Sequence, residues 1–154
     1  MDVKTEEQRQ PGLISLMTQF YKALHRRSSE ELLGMRLKPY MTLGYIRDHP
    51  GASQHELETA LLIDANGVVL LLNELEAAGH SIRRRDPQDR RRHIVELTAS
   101  GRHALERADK AREGLENEVL SELSPEERDT LMKLVRRALD SLLVPAPVAA
   151  GKAR

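Results

Sequence analysis

The sequence predicts a mainly α-helical protein with one small β-hairpin, organised as a helix-turn-helix lobe and a second lobe of longer helices. Three observations support this fold class: helix-start signals at Ser53 and Asp64, two short extended runs joined by a proline-containing turn, and apolar stripes near both ends of the chain. With 154 residues, of which 40% are hydrophobic, the chain is long enough to form one domain with its own core.

Two helices are predicted before the central motif. Within residues 12–25 the apolar side chains recur every three or four positions, which indicates an amphipathic helix with a single apolar stripe. A second helix opens at residues 38–39, because proline is favoured in the first turn, and residues 49–51 (His-Pro-Gly) end it.

The centre of the chain predicts two short helices with a tight connection. Ser53 and Glu56 have the spacing of a capping box, in which each side chain satisfies a free backbone amide at a helix start. Asp64 is a second start signal, and Gly79 supplies the left-handed residue that ends the second helix. This arrangement is a helix-turn-helix.

Six arginines at positions 83–85 and 90–92 flank a turn in a chain whose formal net charge is zero. The first three end one extended run, and the last three open a second run that continues to Thr98. Pro87 favours a turn between them. An arginine-rich hairpin after a helix-turn-helix is typical of a wing that binds DNA phosphates, with the second helix in the major groove. The alternative is a solvated basic loop.

Two further helices and a tail are predicted after the hairpin. Residues 99–120 form a long charged helix with widely spaced apolar points, and residues 125–143 form the last helix. Residues 144–154 are rich in proline and alanine, so we expect a disordered tail.

Four ordered motifs resemble the multiple-antibiotic-resistance regulator (MarR) family. They lie at residues 75–79, 84–91, 97–102 and 123–128, so the resemblance covers most of the 154 residues as a single chain of this type. It implies a winged helix-turn-helix lobe over residues 38–98. It also implies a helical dimerisation lobe formed by residues 11–34 and 99–143.

The resemblance implies a homodimeric, sequence-specific transcriptional regulator in the cytoplasm of a prokaryote, associated with the nucleoid. Such a protein is expected to be a repressor that a small aromatic or phenolic ligand releases from a pseudo-palindromic operator. Two alternatives stay open: an architectural DNA-binding protein that senses no ligand, and a helical protein–protein adaptor. With 3% aromatic residues and no tryptophan, the composition favours duplex DNA over single strands.

The second helix of the motif departs from the family pattern. Many members carry a polar pair where this chain has Val69 and Leu70, which leaves Asn66, Gly67 and Asn73 as the remaining groups, with Leu70, to meet the groove. The alternative is that Asn66 and Gly67 only open the helix. Asp89 is expected to orient Arg91 through a charge-assisted hydrogen bond. The predicted DNA contacts are Gln54, Asn66, Gly67, Leu70, Asn73, Arg84, Arg85, Arg90, Arg91 and Arg92.

The first and last helices have apolar faces that the small winged lobe does not need for its own core. We therefore expect a homodimer in which these faces pack across a two-fold axis. The alternative is a monomeric helical bundle.

An effector crevice of the family's kind has weaker support in the sequence. The candidates are aromatic, imidazole and guanidinium groups suited to a phenolic carboxylate. Two of the tyrosines also fit the core, and the histidine and arginine also fit a helix end. The candidates are Tyr21, His25, Arg26, Tyr40 and Tyr45.

Other classes of site lack a signature. The sequence has no cysteine, which excludes disulfides and a thiol switch, and it has no catalytic or phosphate-loop motif, so no enzyme and no cofactor are expected. Six histidines show no metal-ligand spacing, and His103 with Glu106 fits a solvated helix face. No apolar stretch is long enough to cross a bilayer, and residues 1–10 do not resemble a signal peptide.

Overall fold

A computed structural model describes residues 11–28 and 30–143. The predicted disordered tail, residues 144–154, lies outside this part of the chain. The elements, in chain order, are α1 (Leu13–Arg27), α2 (Glu30–Leu33), α3 (Leu37–Asp48), α4 (Gln54–Leu61), α5 (Ala65–Ala77), β1 (Ser81–Arg85), β2 (His93–Leu97), α6 (Ala99–Val119) and α7 (Pro125–Leu143).

The helix-turn-helix consists of α4 and α5, and both predicted start signals are confirmed. Ser53 Oγ accepts from the Glu56 amide at 3.2 Å, and the Glu56 carboxylate accepts from the Ser53 amide at 2.6 Å. Asp64 Oδ1 accepts from the Gly67 amide at 2.7 Å. At the other end of α5, Gly79 has a φ of +74°, and the His80 amide donates to Leu75 O at 2.9 Å.

The turn between α4 and α5 contains an unexpected backbone conformation. Leu62 has a φ of 54° and a ψ of 43°, which lie in the left-handed region that glycine and asparagine normally occupy. Its side chain is 70% exposed, so packing of the side chain does not explain why leucine stands here. No turn signal is visible in the sequence here, because position 62 is neither glycine nor asparagine.

The core is formed by α3, α4, α5 and β2 of the winged lobe together with α6, which lies outside residues 38–98. The short helix α2, which the sequence analysis did not predict, adds Leu33, only 4% exposed. The core side chains with 2% exposure or less include Leu43, Leu57, Val68, Leu72, Leu75, Val95, Leu105 and Ala108. Burial of each large aliphatic side chain stabilises the fold by about 1.5–3 kcal/mol.

The hairpin pairs β1 with β2 in antiparallel register, with Arg83 opposite Val95. The prediction that arginines 90–92 open the second strand is wrong, because β2 begins at His93 and these arginines belong to the connecting loop. That loop is closed by the Asp86 amide, which donates to Arg92 O at 2.9 Å. β2 also donates from the Val95 amide to Ala52 O at 2.9 Å, so it anchors the entry to α4.

The structure at the start of α6 explains the Leu-Thr-x-x-Gly motif at residues 97–101. Thr98 Oγ1 accepts from the Gly101 amide at 3.0 Å and donates to Gly79 O at 2.6 Å. A Cβ at Gly101 would lie 2.0 Å from His80 O, so only glycine lets the first turn of α6 approach this backbone. The motif therefore joins α6 to the end of α5 and the base of the wing.

The two outer helices differ from the rest of the fold. α1 and α7 are described over their full lengths, and neither contains a buried residue. Ten of their large apolar side chains are 39% or more exposed: Leu13, Ile14, Leu16, Met17, Phe20, Met132, Leu134, Val135, Leu139 and Leu142. In the described part of the chain, no helix combines the length and the apolar character needed to cross a membrane.

Candidate nucleic-acid interface

One face of α5 is exposed and carries the predicted groove contacts. Asn66, Leu70 and Asn73 are spaced so that they lie on the same side of the helix, and all three are exposed, Leu70 to 61%. The opposite side is buried in the core through Val68, Leu71, Leu72 and Leu75. The helix therefore presents two amides and an apolar group to its surroundings.

Gly67 has a structural explanation. A Cβ at this position would lie 2.4 Å from Ile63 Cγ2 and 3.0 Å from Asp64 Oδ1, so a side chain would push α5 away from the turn that precedes it. Its amide is also the group that Asp64 caps. Both observations favour the alternative that Gly67 opens the helix, and a DNA contact at Gly67 stays a prediction.

Gln54 lies at the other helix of the motif. It is the first residue of α4 and is half-buried, in a shallow depression that Arg92 and His93 of the hairpin also line. The start of α4 and the base of the wing are thus neighbours. Glu56 also lines this depression and is paired with Arg92, so a phosphate there would compete with a carboxylate for the guanidinium.

Three of the six arginines of the wing are paired with glutamates. Arg84 Nη2 contacts Glu96 Oε1 at 2.5 Å, and Arg92 Nη2 contacts Glu56 Oε2 at 3.3 Å. The third, Arg83, is paired with Glu76 of α5. These pairs hold the guanidinium groups against the protein.

The three other arginines lie at the tip of the wing. Arg85 Nη1 donates to Arg90 O at 3.0 Å, which stabilises the loop. The side chains of Arg90 and Arg91 are exposed and form no hydrogen bond or ion pair with any residue in the described ranges. Two guanidinium groups in each chain are therefore available to an external anion.

Asp89 stabilises the loop through its backbone neighbours. Its Oδ1 accepts from the Arg91 amide at 3.0 Å, and its carbonyl oxygen accepts from the Arg92 amide at 2.9 Å. The expected hydrogen bond to the Arg91 guanidinium is not found, so any effect of Asp89 on Arg91 acts through the shape of the turn. This Asx-type turn explains why aspartate suits the position.

A cavity of about 700 Å³ lies between the winged lobe and α1. Three of the five predicted ligand contacts line it, namely Tyr21, His25 and Arg26. The rest of the lining was not predicted, because it comes from separate segments: the ends of α1 and α4, the start of α3 and the turn before α5. These additional residues are Ser28, Arg36, Leu37, Lys38, Met41, Leu61, Leu62 and Ile63.

Tyr40 and Tyr45 do not line this cavity. The Tyr40 hydroxyl donates to Asp109 Oδ1 at 2.7 Å, and burial together with this hydrogen bond raises the pKa of Tyr40 to about 12. Burial alone would raise the pKa of Asp109, but hydrogen bonds from Tyr40 and Arg47 lower it. Tyr45 stacks on His49 with ring centroids 3.9 Å apart. Both tyrosines therefore serve the packing of the winged lobe.

A metal site has no support among residues 11–28 and 30–143. His103 Nδ1 lies 3.7 Å from Glu106 Oε2, but both side chains are about 70% exposed. No third histidine, aspartate or glutamate in these ranges joins them to form a candidate site. The pair is a solvated helix face.

Comparison with known proteins identifies the family. The model of the MarR family matches residues 33–92. The putative transcriptional regulatory protein for the hcr operon of Thauera aromatica is 36% identical over 98 residues, which cover 64% of this chain and 59% of that protein. The transcriptional regulator HosA of Escherichia coli O111:H- is 30% identical over 125 residues, which cover 81% of this chain and 93% of that protein.

A solved structure gives the same result. The complex of MepR from S. aureus with DNA matches with a TM-score of 0.71 and 26% identity, over 85% of this chain and 96% of that chain. Both sequence relatives are named as transcriptional regulators, in agreement with the prediction that the chain is not an enzyme. The chain spans about three-fifths of the Thauera relative and nearly all of HosA. The winged helix-turn-helix fold, the ordered motifs and these relatives show that the chain belongs to the MarR family.

Proposed function

We propose that the chain is a homodimeric transcriptional regulator that binds a pseudo-palindromic DNA operator and is released from it by a small anionic aromatic ligand. The main observation behind this proposal is that the arginines of the wing fall into two groups. Most of them contact other groups of the protein, whereas the side chains of Arg90 and Arg91 are available to bind phosphates. A repressor acting at the nucleoid in the cytoplasm of a prokaryote is the form of regulation that we propose.

The dimer is supported by the surface of the outer helices. An apolar groove of about 350 Å³ lies between α1, α6 and α7 and is lined by Met17, Phe20, Leu131 and Val135, among others. A second copy of the chain is the partner that a two-fold axis would place there. The two copies of α5, which is the recognition helix of the motif, would then contact DNA at points about 34 Å apart, a distance of one turn of the DNA helix.

Replacing Arg91 with alanine should weaken DNA binding about 30-fold in a dimer. Each subunit loses one charge-assisted phosphate contact, and we assign about 1 kcal/mol to each. The slope of log K against log salt should become shallower by about 1.8, because each lost phosphate neutralisation contributes about 0.9. Fluorescence anisotropy of a labelled duplex over a salt series measures both quantities.

The matched control is Arg137→Ala on α7. Arg137 is exposed, and it forms no hydrogen bond or ion pair with the described residues. This control variant should keep the affinity and salt slope of the parent protein. An unchanged slope for Arg91→Ala would place the phosphate contacts outside the tip of the wing.

The effector part of the proposal rests on the cavity and on one ion pair. Arg36 lines the cavity, and its guanidinium is paired with Glu74 of α5. An anionic ligand in the cavity would compete with Glu74 for this guanidinium. Ile63, which also lines the cavity, packs against Gly67 at the start of α5. Ligand binding would thereby alter two contacts of the recognition helix.

A thermal-shift screen of phenols and aromatic carboxylates tests the effector site, with the neutral amide of each acid as its control. A ligand that binds the native state at 100 times its Kd stabilises it by about 2.7 kcal/mol, which is seen as a rise in Tm. Arg26→Ala should abolish the rise. Arg27→Ala should keep it, because Arg27 is paired with Glu118 instead of lining the cavity.

A rise in Tm that persists in Arg26→Ala would move the ligand site elsewhere. The absence of any response would favour the second candidate, an architectural DNA-binding protein. That alternative is favoured by the apolar pair Val69 and Leu70, which offers few groups for reading bases. Equal affinity for selected and scrambled duplexes would identify it, and no DNA binding at low salt would favour an adaptor.

A further inference from the structure

Arg83 is the arginine of the wing that α5 holds. Its Nε donates to Glu76 Oε1 at 2.7 Å and its Nη2 to Glu76 Oε2 at 2.8 Å. Its backbone amide also donates to Glu76 Oε1, at 3.1 Å. Only a quarter of the Arg83 side chain is exposed. Its hydrogen bonds lower the pKa of Glu76, so the two residues form an ionised, bidentate pair.

The same guanidinium also contacts Asn73. Nη2 of Arg83 donates to Asn73 Oδ1 at 2.5 Å. A guanidinium has only donors, so the atom of the amide that faces it must be the oxygen. The amino group of Asn73 makes no hydrogen bond with the described residues, and the residue is exposed. Asn73 therefore offers its amino group to the outside as a donor, while its oxygen is turned toward Arg83.

This arrangement changes what Asn73 can read in a major groove. The bidentate contact of asparagine with adenine needs the amide oxygen and the amino group to face the base together, and Arg83 holds that oxygen toward its own guanidinium. The side-chain amide of Asn66, by contrast, forms no hydrogen bond with the described residues and keeps both its groups available. The two asparagines of the recognition helix are therefore not equivalent.

Leu70 adds an apolar group beside this donor. It precedes Asn73 by three residues, so the two side chains are neighbours on the helix surface, and it is 61% exposed. Thymine presents an acceptor, O4, next to its C5 methyl group at the edge of the major groove. A donor beside a leucine side chain complements that edge.

We propose that Arg83 is a positioning residue that holds Asn73 as a hydrogen-bond donor, and that Asn73 with Leu70 selects a thymine in each half-site. This inference rests on the proposed sequence-specific DNA binding and names its readout. Arg83, which belongs to the arginine cluster of the hairpin but is not among the predicted DNA contacts, thus acts on specificity.

The test begins with the wild-type protein, which selects its preferred duplex from a random library. Each enriched thymine is then replaced by 5-methylcytosine, opposite guanine, which keeps the methyl group but exchanges O4 for a donor. One such position in each half-site should lose about 30-fold in affinity, the value of one hydrogen bond in each of the two subunits. Deoxyuridine at that position removes only the methyl group and should cost a smaller factor.

Variants of Asn73 and Arg83 test which residues cause the preference for thymine over 5-methylcytosine. Asn73→Ala should bind both duplexes equally, and Asn73→Asp should reverse the preference, because a carboxylate offers only acceptors to the outside. Arg83→Gln should reduce the preference at this one position and leave other positions unchanged, which a general loss of structure would not do. The matched control is Arg27→Gln, which removes an arginine that is paired with Glu118 and is not a predicted DNA contact, and which should keep the preference.

The outcomes separate the two levels of the proposal. If the wild type enriches no sequence, sequence-specific binding is wrong and this inference fails with it. If the wild type enriches a sequence but Asn73→Ala keeps the same preference at every thymine, the inference alone is overturned. Should Arg83→Gln fail to fold, the exposed Asn73→Asp variant still decides, since retention of thymine over 5-methylcytosine contradicts the donor assignment.

Discussion

Replacing Val135 and Leu139 with aspartate should convert the proposed dimer into a monomer. Both side chains lie on one face of α7, four residues apart, and are 40% and 44% exposed in the single chain. A second copy of the chain would bury them, and an unpaired carboxylate buried at such an interface costs several kcal/mol. Light scattering should show half the parental mass, and DNA affinity should fall because one half-site binds alone.

Lys133→Asp with Arg137→Asp is the matched control, because it places two aspartates at the same spacing on α7. These residues lie on a different side of the helix, away from the apolar groove. The control changes the net charge more than the test variant does, yet it should stay dimeric. A folded dimer formed by the Val135 and Leu139 variant would move the interface away from this face.

Replacing Gly101 with alanine should destabilise the winged lobe by about 3 kcal/mol, at the upper end of the usual range for overpacking. The new Cβ would lie 2.0 Å from His80 O and 2.9 Å from His80 C. These are backbone atoms at the base of the wing, so no side chain can move to make room. The same carbonyl accepts from the Thr98 amide at 3.1 Å, and that bond would be strained as well. Denaturant unfolding measures the loss.

Gly114→Ala provides the control on the same helix. No atom lies within 4 Å of a Cβ built at Gly114, and alanine is favoured over glycine in a helix by about 1 kcal/mol. This variant should therefore stabilise the protein slightly. If Gly101→Ala were equally harmless, the contact between α6 and the base of the wing would not be required for the fold.

The helix starts show how far sequence reasoning extends. Ser53 with Glu56, and Asp64 with the amide of Gly67, are pairs three residues apart, and both contacts are present. Such signals are readable because both partners belong to one turn of a helix. The short helix α2 and the left-handed Leu62 were missed, because neither has a local signal that distinguishes it.

The candidate site divides in the same way. The exposed face of α5 follows from helical periodicity, so Asn66, Leu70 and Asn73 could be placed together in advance. The cavity could not, because α1, α3 and the turn before α5 form it jointly. Tyr40 is a second example. Its aromatic ring and hydroxyl group suited a ligand site, but its hydroxyl is bonded to Asp109, which lies 69 residues away in the sequence.

The sequence by itself determined the family, the order of the elements other than α2, and the arginine-rich hairpin, since these depend on spacing and on hydrogen bonds within a few residues. Only the tertiary structure decided which arginines are free. Arg83 is held by Glu76, Arg84 by Glu96 and Arg92 by Glu56, the last pair 36 residues apart. An ion pair forms where packing brings two oppositely charged side chains within a few ångströms of each other, and no pattern along the sequence specifies that distance.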